Sequence, residues 1–324
     1  MKKFISKLYY KLDLIPSARY MMDILSWWYR YFTVKKVSKE LLENIEWIKE
    51  MNIPIEWFYE KKPLWISWVA RLKNWDDFLE EVIESYLSFV DEIILVDNLS
   101  TDKTKEICLK LQKKYPDKIK FYTYPYEVVP PWKENEKVSE NSIHSLTYYY
   151  NWSFSKAKYK YVVKVDDDNL FIEEAWKRLR EYVLTKQPKE YVVFWWVNLL
   201  AKGDVVWVSE KRKYLGKYWD HWIYPVSDRT YFIKIPVSEK FICPYRYKRM
   251  WFSLLHLKYL KKKFWLINNK KTELYKQFFS KIKDGKLLSI KDIFKTHKDI
   301  YIKEEDVYNT FYKYEKVSNW KTLL

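Results

Sequence analysis

Asp166, Asp167 and Asp168 stand in a row, just after the apolar, strand-like run Tyr161–Val165 and just before Asn169. Three adjacent carboxylates repel one another, and a divalent cation between them is the usual relief. Mg²⁺ is a hard ion that keeps much of its water, so one or two protein carboxylates hold it while substrate phosphates supply the rest. The carboxyl end of a buried strand is also where open α/β sheets place their ligands. The pattern reads as a metal–nucleotide site. Alternate residues of an extended chain face opposite sides, so Asp166 and Asp168 share a side and Asp167 points away.

A second acidic strand end lies upstream. Asp97 closes the run EIILVD and opens VDNLSTD, Val96 to Asp102. If the two strands are parallel neighbours, both acidic ends fall on one edge of a sheet. One carboxylate can then accept hydrogen bonds from a base or ribose while the other pair holds a metal on a diphosphate. Arg71 ends an earlier apolar run and has two readings, a nucleotide contact or a surface salt bridge. His256, in LLHLKYLK, reads either as a core histidine on an apolar helix face or as a ligand. Asp220 and His221, in YWDHWIYPVSD, lie in a turn-like segment past the sheet core.

The elements needed to position these groups can be read from periodicity. Strands are expected at 64–70, 92–98, 119–125 and 161–165, with helices between them, and strand–helix alternation of this kind specifies a parallel sheet. Asn74 is expected to cap a helix carrying Phe78, Val82, Ile83, Tyr86, Leu87 and Val90. Past Leu170 come a helix over 172–184 and strands near 191–197, 204–208 and 230–235. Residues 1–60 read as helical, with Ser38 capping a helix that carries Leu41, Leu42, Ile45 and Ile48 and stops at Pro54. Ile24, Leu25, Trp27 and Trp28 make an aromatic patch flanked by Arg19 and Arg30, suited to a bilayer surface or to docking on the main domain. The expected division is a helical segment over 1–60, an α/β domain over 61–260 and a basic helical tail over 261–324.

Composition narrows the class. The chain has 324 residues, 48% hydrophobic and 32% charged, a globular balance. Two cysteines, Cys108 and Cys243, exclude a disulfide framework and a multi-cysteine zinc site. No apolar stretch reaches the length of a membrane span. The formal charge of +17 suits a solvated basic surface or the anionic inner face of a cell membrane, which places the chain in the cytoplasm or peripherally on that face. No nucleic-acid-binding motif accompanies the lysines. The chain has 3 Gly and 18 Trp, where average usage predicts about 23 Gly. Trp75, Trp132, Trp219 and Trp222 occupy contexts natural to glycine. Either the gene uses UGA for glycine and is written here with tryptophan, or the protein comes from an AT-rich genome and is truly aromatic-rich.

With these motifs in place, the chain resembles the family 2 glycosyltransferases, which have the GT-A fold. Their VDDGSTD motif is matched by VDNLSTD, and their DXD motif by Asp166-Asp167-Asp168. Their asparagine upstream of the DXD strand falls at Asn151 in YNWSFSKAKYKYVVKVDDD, and NWDDFLEE (Asn74 to Glu81) resembles their opening segment. Departures are Tyr150 before Asn151 and Asn98-Leu99 for the usual Asp-Gly. The resemblance implies a mostly parallel α/β sheet flanked by helices, with helical additions at both ends. It also implies transfer of a sugar from a UDP- or GDP-sugar to a glycan or lipid-linked acceptor, metal-dependent and inverting. Asp97, Asn98, Asn151, Asp166 and Arg71 would contact the nucleotide. Asp166 and Asp168 would hold Mg²⁺ or Mn²⁺, with His256 returning to the metal and Lys258 to the diphosphate. Asp220, with His221 as fallback, would deprotonate the acceptor. The alternatives are a nucleotidyltransferase, which wants a glycine-rich phosphate loop that is not seen, and a basic nucleic-acid-binding protein, which leaves the acidic strand ends without purpose.

Overall fold

The computed structural model describes residues 25, 27–131, 133–166, 168–202, 205–209, 221–257, 260, 287–288, 303–313 and 321–322. The chain forms two compact units. One comprises 61–128, 152–225 and 248–324; the other comprises 1–60, 129–151 and 226–247.

The first unit is built on an eight-stranded sheet. Its strands are β1 (Ile66–Leu72), β2 (Glu92–Asp97), β3 (Ile119–Thr123), β4 (Tyr161–Lys164), β5 (Asn169–Phe171), β6 (Tyr191–Asn198), β9 (Trp222–Pro225) and β12 (Tyr247–His256). They lie in the order β3-β2-β1-β4-β9-β6-β12-β5. The half from β3 to β4 is parallel, and antiparallel pairs join β4 to β9, β9 to β6 and β12 to β5. β1 and β2 are buried along nearly their whole length, which is why they read as unbroken apolar runs rather than alternating ones. Helices α1 (Leu79–Tyr86), α2 (Thr104–Lys114) and α4 (Glu173–Lys186) bury one face each in the core, through Leu79, Val82, Ile83 and Tyr86, through Cys108 and Leu111, and through Ala175, Trp176, Leu179 and Val183. Short strands β7 (Leu200–Lys202) and β8 (Val205–Ser209) pair with each other, and Leu287–Leu288 and Lys321–Thr322 pair with β8. In the tail, α5 (Glu304–Lys313) is helical.

The second unit carries the hairpin of β10 (Tyr231–Ile235) and β11 (Ser238–Ile242) and most of helix α3, which spans Leu146–Phe154. The buried Tyr148 donates its hydroxyl to the carbonyls of Leu42 and Met51, both at 2.9 Å.

Four expectations need correction. The helix expected from Ser38 to Pro54 is only Lys39–Leu42, with a 3₁₀ turn at Lys49–Met51. Asn44 breaks it, because its side chain captures both the N–H and the carbonyl of Ile48, at 2.9 and 2.8 Å. Such local bonds compete with a helix ladder. Asn74 does not cap α1. It sits at φ 59°, accepts the Thr101 N–H at 2.7 Å and leaves α1 to begin at Leu79. His256 ends strand β12 instead of lying on a helix, since short apolar runs fit either period. Finally, the strands that end in Asp97 and Asp166 are not neighbours: β1 lies between them.

Candidate active site

Because β1 separates the two acidic strand ends, its own carboxyl end supplies the residue in the middle. Leu72 is in register with Asp97 and Arg71 with Val96. Arg71 extends its guanidinium to Asp166, with Nη2 3.3 Å from Oδ1, and its side chain is only 6% exposed. The guanidinium also lies 5.3 Å from the centre of the Phe154 ring. Lys164, the last residue of β4, places Nζ 3.7 Å from the same Asp166 oxygen while itself 2% exposed. Two cations in a nearly water-free setting therefore face Asp166, which is 36% exposed. Buried charges of this kind persist only when paired.

The loop that carries the aspartates is pinned on both sides. Trp68 of β1 donates Nε1–H to the carbonyl of Val165 at 3.2 Å, and Tyr86 of α1 donates its hydroxyl to the carbonyl of Asn169 at 3.1 Å. Trp68 and Tyr86 stack with ring centres 3.6 Å apart. Asn169 donates Nδ2–H to Asp168 Oδ1 at 2.9 Å, and the backbone N–H of Leu257 donates to the carbonyl of Asp168 at 2.7 Å.

β12 runs back alongside this loop, with His256 in register with Asn169. His256 Nε2 lies 3.3 Å from Asp168 Oδ1, and His256 Nδ1 lies 2.6 Å from Asn198 Oδ1 at the end of β6. Asp168 is 2% exposed. His221 is buried at the start of the β9 segment, its ring 4.6 Å from Trp196 and 6.3 Å from His256. The structure thus brings Arg71, Asp166, Asp168, His256 and His221 to one region of the sheet edge. Asp167, Asp220 and Lys258 lie outside the described residues.

On β2 the Asp97 carboxylate is 1% exposed. Its Oδ2 accepts the Ser100 N–H at 3.3 Å, while Oδ1 has no hydrogen-bond partner among the described residues. An unpaired buried carboxylate oxygen costs folding free energy. Asn98 is different. Its Nδ2 donates to the carbonyls of Tyr126 and Tyr124, at 2.6 and 3.3 Å, and its Oδ1 accepts the Val128 N–H at 3.4 Å. That amide staples the chain leaving β3 and has little left for a nucleotide. Asn151, on α3, is engaged in the same way, exchanging two 2.9 Å hydrogen bonds with the backbone of Phe232.

Two sequence motifs latch to each other beside Asp97. The Asn74 N–H donates to Ser100 Oγ at 2.9 Å, the Trp75 N–H to Thr104 Oγ1 at 2.7 Å and the Asp76 N–H to Asp102 Oδ2 at 3.3 Å. Asp102 Oδ1 accepts the Thr104 N–H at 2.9 Å as α2 begins. Burial raises the Asp102 carboxyl, but the hydrogen bonds from Thr104 and Asp76 outweigh it and hold the group below its ordinary value.

Residues 68–127 match the sequence profile described as Glycosyl transferase family 2. This segment is a family 2 glycosyltransferase domain. It spans β1 to the chain leaving β3, and so contains Arg71, Asp97 and the paired loops. No curated protein matches the chain. Among solved structures, glucosyl-3-phosphoglycerate synthase from Mycobacterium tuberculosis, in complex with Mn²⁺, UDP-glucose and phosphoglyceric acid, is 21% identical at a TM-score of 0.28, over 41% of this chain and 44% of that one. TarS 1-349 from S. aureus, in complex with UDP, is 16% identical at a TM-score of 0.35, over 50% of this chain and 47% of that one. The chain spans less than half the length of each of these structures.

Lys164 and Asn198 are the site residues that sequence reasoning passed over. The signal was there for both. Lys164 is a lone charge inside an apolar strand run, and Asn198 is the polar residue that ends the eight-residue strand β6. No three His, Cys, Asp or Glu side chains converge among the described residues. The donor set that does form, Asp168 with His256, suits an ion that takes most of its remaining ligands from phosphates and water. The carboxylate donor suits Mg²⁺ or Mn²⁺, and the imidazole suits the softer transition ions.

Proposed function

We propose that the chain transfers a sugar from a nucleoside-diphosphate sugar, UDP- or GDP-linked, to a hydroxyl of a glycan or lipid-linked acceptor, with Mg²⁺ or Mn²⁺ and with inversion. The observation that carries it is the meeting of Asp168 Oδ1 and His256 Nε2 at 3.3 Å, on the sheet edge where β2 ends in a buried carboxylate with one unsatisfied oxygen. Asp97 accepts hydrogen bonds from the base or ribose. Arg71 and Lys164 hold Asp166 in place and keep the edge electropositive toward a diphosphate. Asp168 and His256 would hold the cation, and a bound cation would supply Lewis-acid neutralisation of the departing nucleoside diphosphate. Asp220, with His221 as fallback, takes the proton of the acceptor hydroxyl, a role a carboxylate fills by geometry and proton affinity.

The aromatic segment of residues 25–33 supports peripheral contact with an anionic membrane face. Leu25, Trp28, Tyr29 and Phe32 follow the i, i+3, i+4, i+7 spacing of one helix face and are 58%, 49%, 71% and 70% exposed. Among the described residues no helix is long and apolar enough to cross a membrane. The test of the enzymatic reading is hydrolysis of a panel of UDP-, GDP- and dTDP-sugars with Mn²⁺ or Mg²⁺, comparing wild type with Asp168→Ala. Loss of turnover in the variant is expected. Equal turnover by both removes the metal role.

A further inference from the structure

Asn198 sits behind His256, on the side away from Asp168. Its Oδ1 receives two contacts, from His256 Nδ1 at 2.6 Å and from Trp196 Nε1 at 3.3 Å. The indole N–H is a donor only. The Asn198 atom it meets must therefore be the carbonyl oxygen and not the amide nitrogen. That assignment decides the histidine as well. An imidazole nitrogen 2.6 Å from a carbonyl oxygen can only donate, so Nδ1 carries a proton, and it is Nε2 that faces Asp168 Oδ1 at 3.3 Å.

Between that nitrogen and a carboxylate oxygen at this distance lies either a proton, which makes an imidazolium–carboxylate pair, or a cation that takes its place. Asp168 is fixed for the encounter by Asn169 Nδ2 at 2.9 Å and by the bond from the Leu257 N–H to its carbonyl. The imidazole is fixed by Asn198. We infer that Asn198 is a positioning residue: its side-chain oxygen locks His256 in the Nδ1–H tautomer and ring orientation that direct Nε2, together with Asp168, at a divalent cation. The inference rests on the proposed cation role of Asp168 and His256, and names the residue that makes His256 competent for it. Outer partners of this kind typically govern metal affinity by 10–100-fold.

Two readouts test it without the transfer reaction. In protein labelled with ¹⁵N-histidine, long-range ¹H–¹⁵N correlation spectra report which His256 nitrogen bears the proton. Electron paramagnetic resonance titration reports Mn²⁺ affinity. The wild type is expected to show the Nδ1–H form. Asn198→Leu, which has no acceptor, is expected to lose that preference and bind Mn²⁺ about 10–100-fold more weakly. Asn198→Asp, which keeps the oxygen, is expected to restore both to within a few-fold of wild type. Should Asn198→Leu not fold, Asn198→Ser, whose hydroxyl is too short to reach the ring, takes its place with the same expectations. An acceptor-less variant that keeps wild-type Mn²⁺ affinity and the Nδ1–H form overturns the inference. A wild type that binds no Mn²⁺ overturns the cation role instead, and the tautomer spectra then answer for Asn198 alone.

Discussion

Arg71 Nη2 lies 3.3 Å from Asp166 Oδ1, and Arg71 rises from β1, the strand that separates the Asp97 strand from the Asp166 strand. Asp166 and Asp168 consequently meet different partners. Asp166 balances Arg71 and Lys164, whose side chains are 6% and 2% exposed, whereas Asp168 faces His256. Neutralising Asp166 leaves two buried cations with less compensation, a change that destabilises. Because Asp166 is partly exposed, Asp166→Asn is expected to cost about 1–3 kcal/mol. Asp168→Asn removes the carboxylate that faces His256 Nε2 and is expected to abolish Mn²⁺ binding at a smaller loss of stability than Asp166→Asn. Urea unfolding and Mn²⁺ titration of the two variants separate the roles; equal destabilisation by both would contradict this division.

Asp97 invites a complementary measurement. Its buried Oδ1 has no partner among the described residues, so the folded protein bears a desolvation cost that a bound nucleotide would relieve. Asp97→Asn is expected to stabilise the ligand-free protein by about 1 kcal/mol, because a neutral amide is cheaper to bury than a half-satisfied carboxylate. The same variant is expected to bind UDP or GDP at least tenfold more weakly. Thermal unfolding with and without nucleotide reads both effects at once. A variant that is less stable and binds normally would make Asp97 a purely structural residue.

How far the sequence disclosed this site depended on how local each cue was. The buried strands β1, β2 and β4 were legible because two-sided burial forces unbroken Val, Ile and Leu runs, and the acidic ends were legible because they break those runs abruptly. Strand order was not: nothing local to Asp97 or Asp166 says that β1 will lie between them. His256 was read on a helix because its apolar surroundings suit either period, and only the pairing of β12 with β5 settles it. Lys164 drew no reading of its own, yet the fold buries it at the strand end. Asn98 and Asn151 matched family positions by type and spacing, but their amides are engaged with backbone at Tyr126 and Phe232.

The latch between the Asn74 and Asp102 loops should show a pH signature. The Asp102 carboxyl is held below its ordinary value of 3.8 by hydrogen bonds from Thr104 and Asp76, against the opposing effect of burial. A depressed folded-state value means stability that is fully present above the unfolded value and is lost as pH falls through the folded one. Wild type is therefore expected to lose stability below about pH 4 through this group, and Asp102→Asn to show a flatter acid limb. Urea midpoints between pH 6 and pH 3 test it, and parallel limbs for the two proteins would remove Asp102 from the account.

Membrane attachment is expected to run through the stripe of Leu25, Trp28, Tyr29 and Phe32. Trp28 and Phe32 stack with ring centres 5.5 Å apart. On another side of the same segment, Trp27 lies under the Arg246 guanidinium at 4.9 Å, and the Tyr31 carbonyl accepts from Arg229 at 3.2 Å. Arg30, Lys35, Lys36 and Lys39 follow with no acidic residue until Glu40. Aromatics that enter the headgroup layer beside basic side chains favour anionic lipid. Sedimentation with phosphatidylserine-containing vesicles is expected at low salt, falling at least tenfold in Trp28→Ala/Phe32→Ala and weakening as salt rises. Equal sedimentation of the double variant, or equal binding to neutral vesicles, would defeat this route.

Backbone geometry bears on how the tryptophans should be read. Trp75 and Trp222, two of the positions whose context suits glycine, are not left-handed: the positive φ near Trp75 belongs to Asn74, and Trp222 lies in β9. Trp132 and Trp219 are outside the described residues. Among the described residues the left-handed tryptophan is Trp47, at φ 59° and 85% exposed. Leu99 shares the trait, at φ 54°, and occupies the glycine place of VDDGSTD. Each position strains a side chain that has a Cβ by about 1–2 kcal/mol, partly offset by the greater freedom glycine has when unfolded. Trp47→Gly and Leu99→Gly are each expected to raise stability by about 0.5–1 kcal/mol, where glycine in an ordinary helical or extended position lowers it. Peptide masses of the protein from its native source should then show glycine at 47 if UGA is read as glycine. Tryptophan at 47, with Trp47→Gly destabilising, would mean that an aromatic-rich chain simply carries the strain.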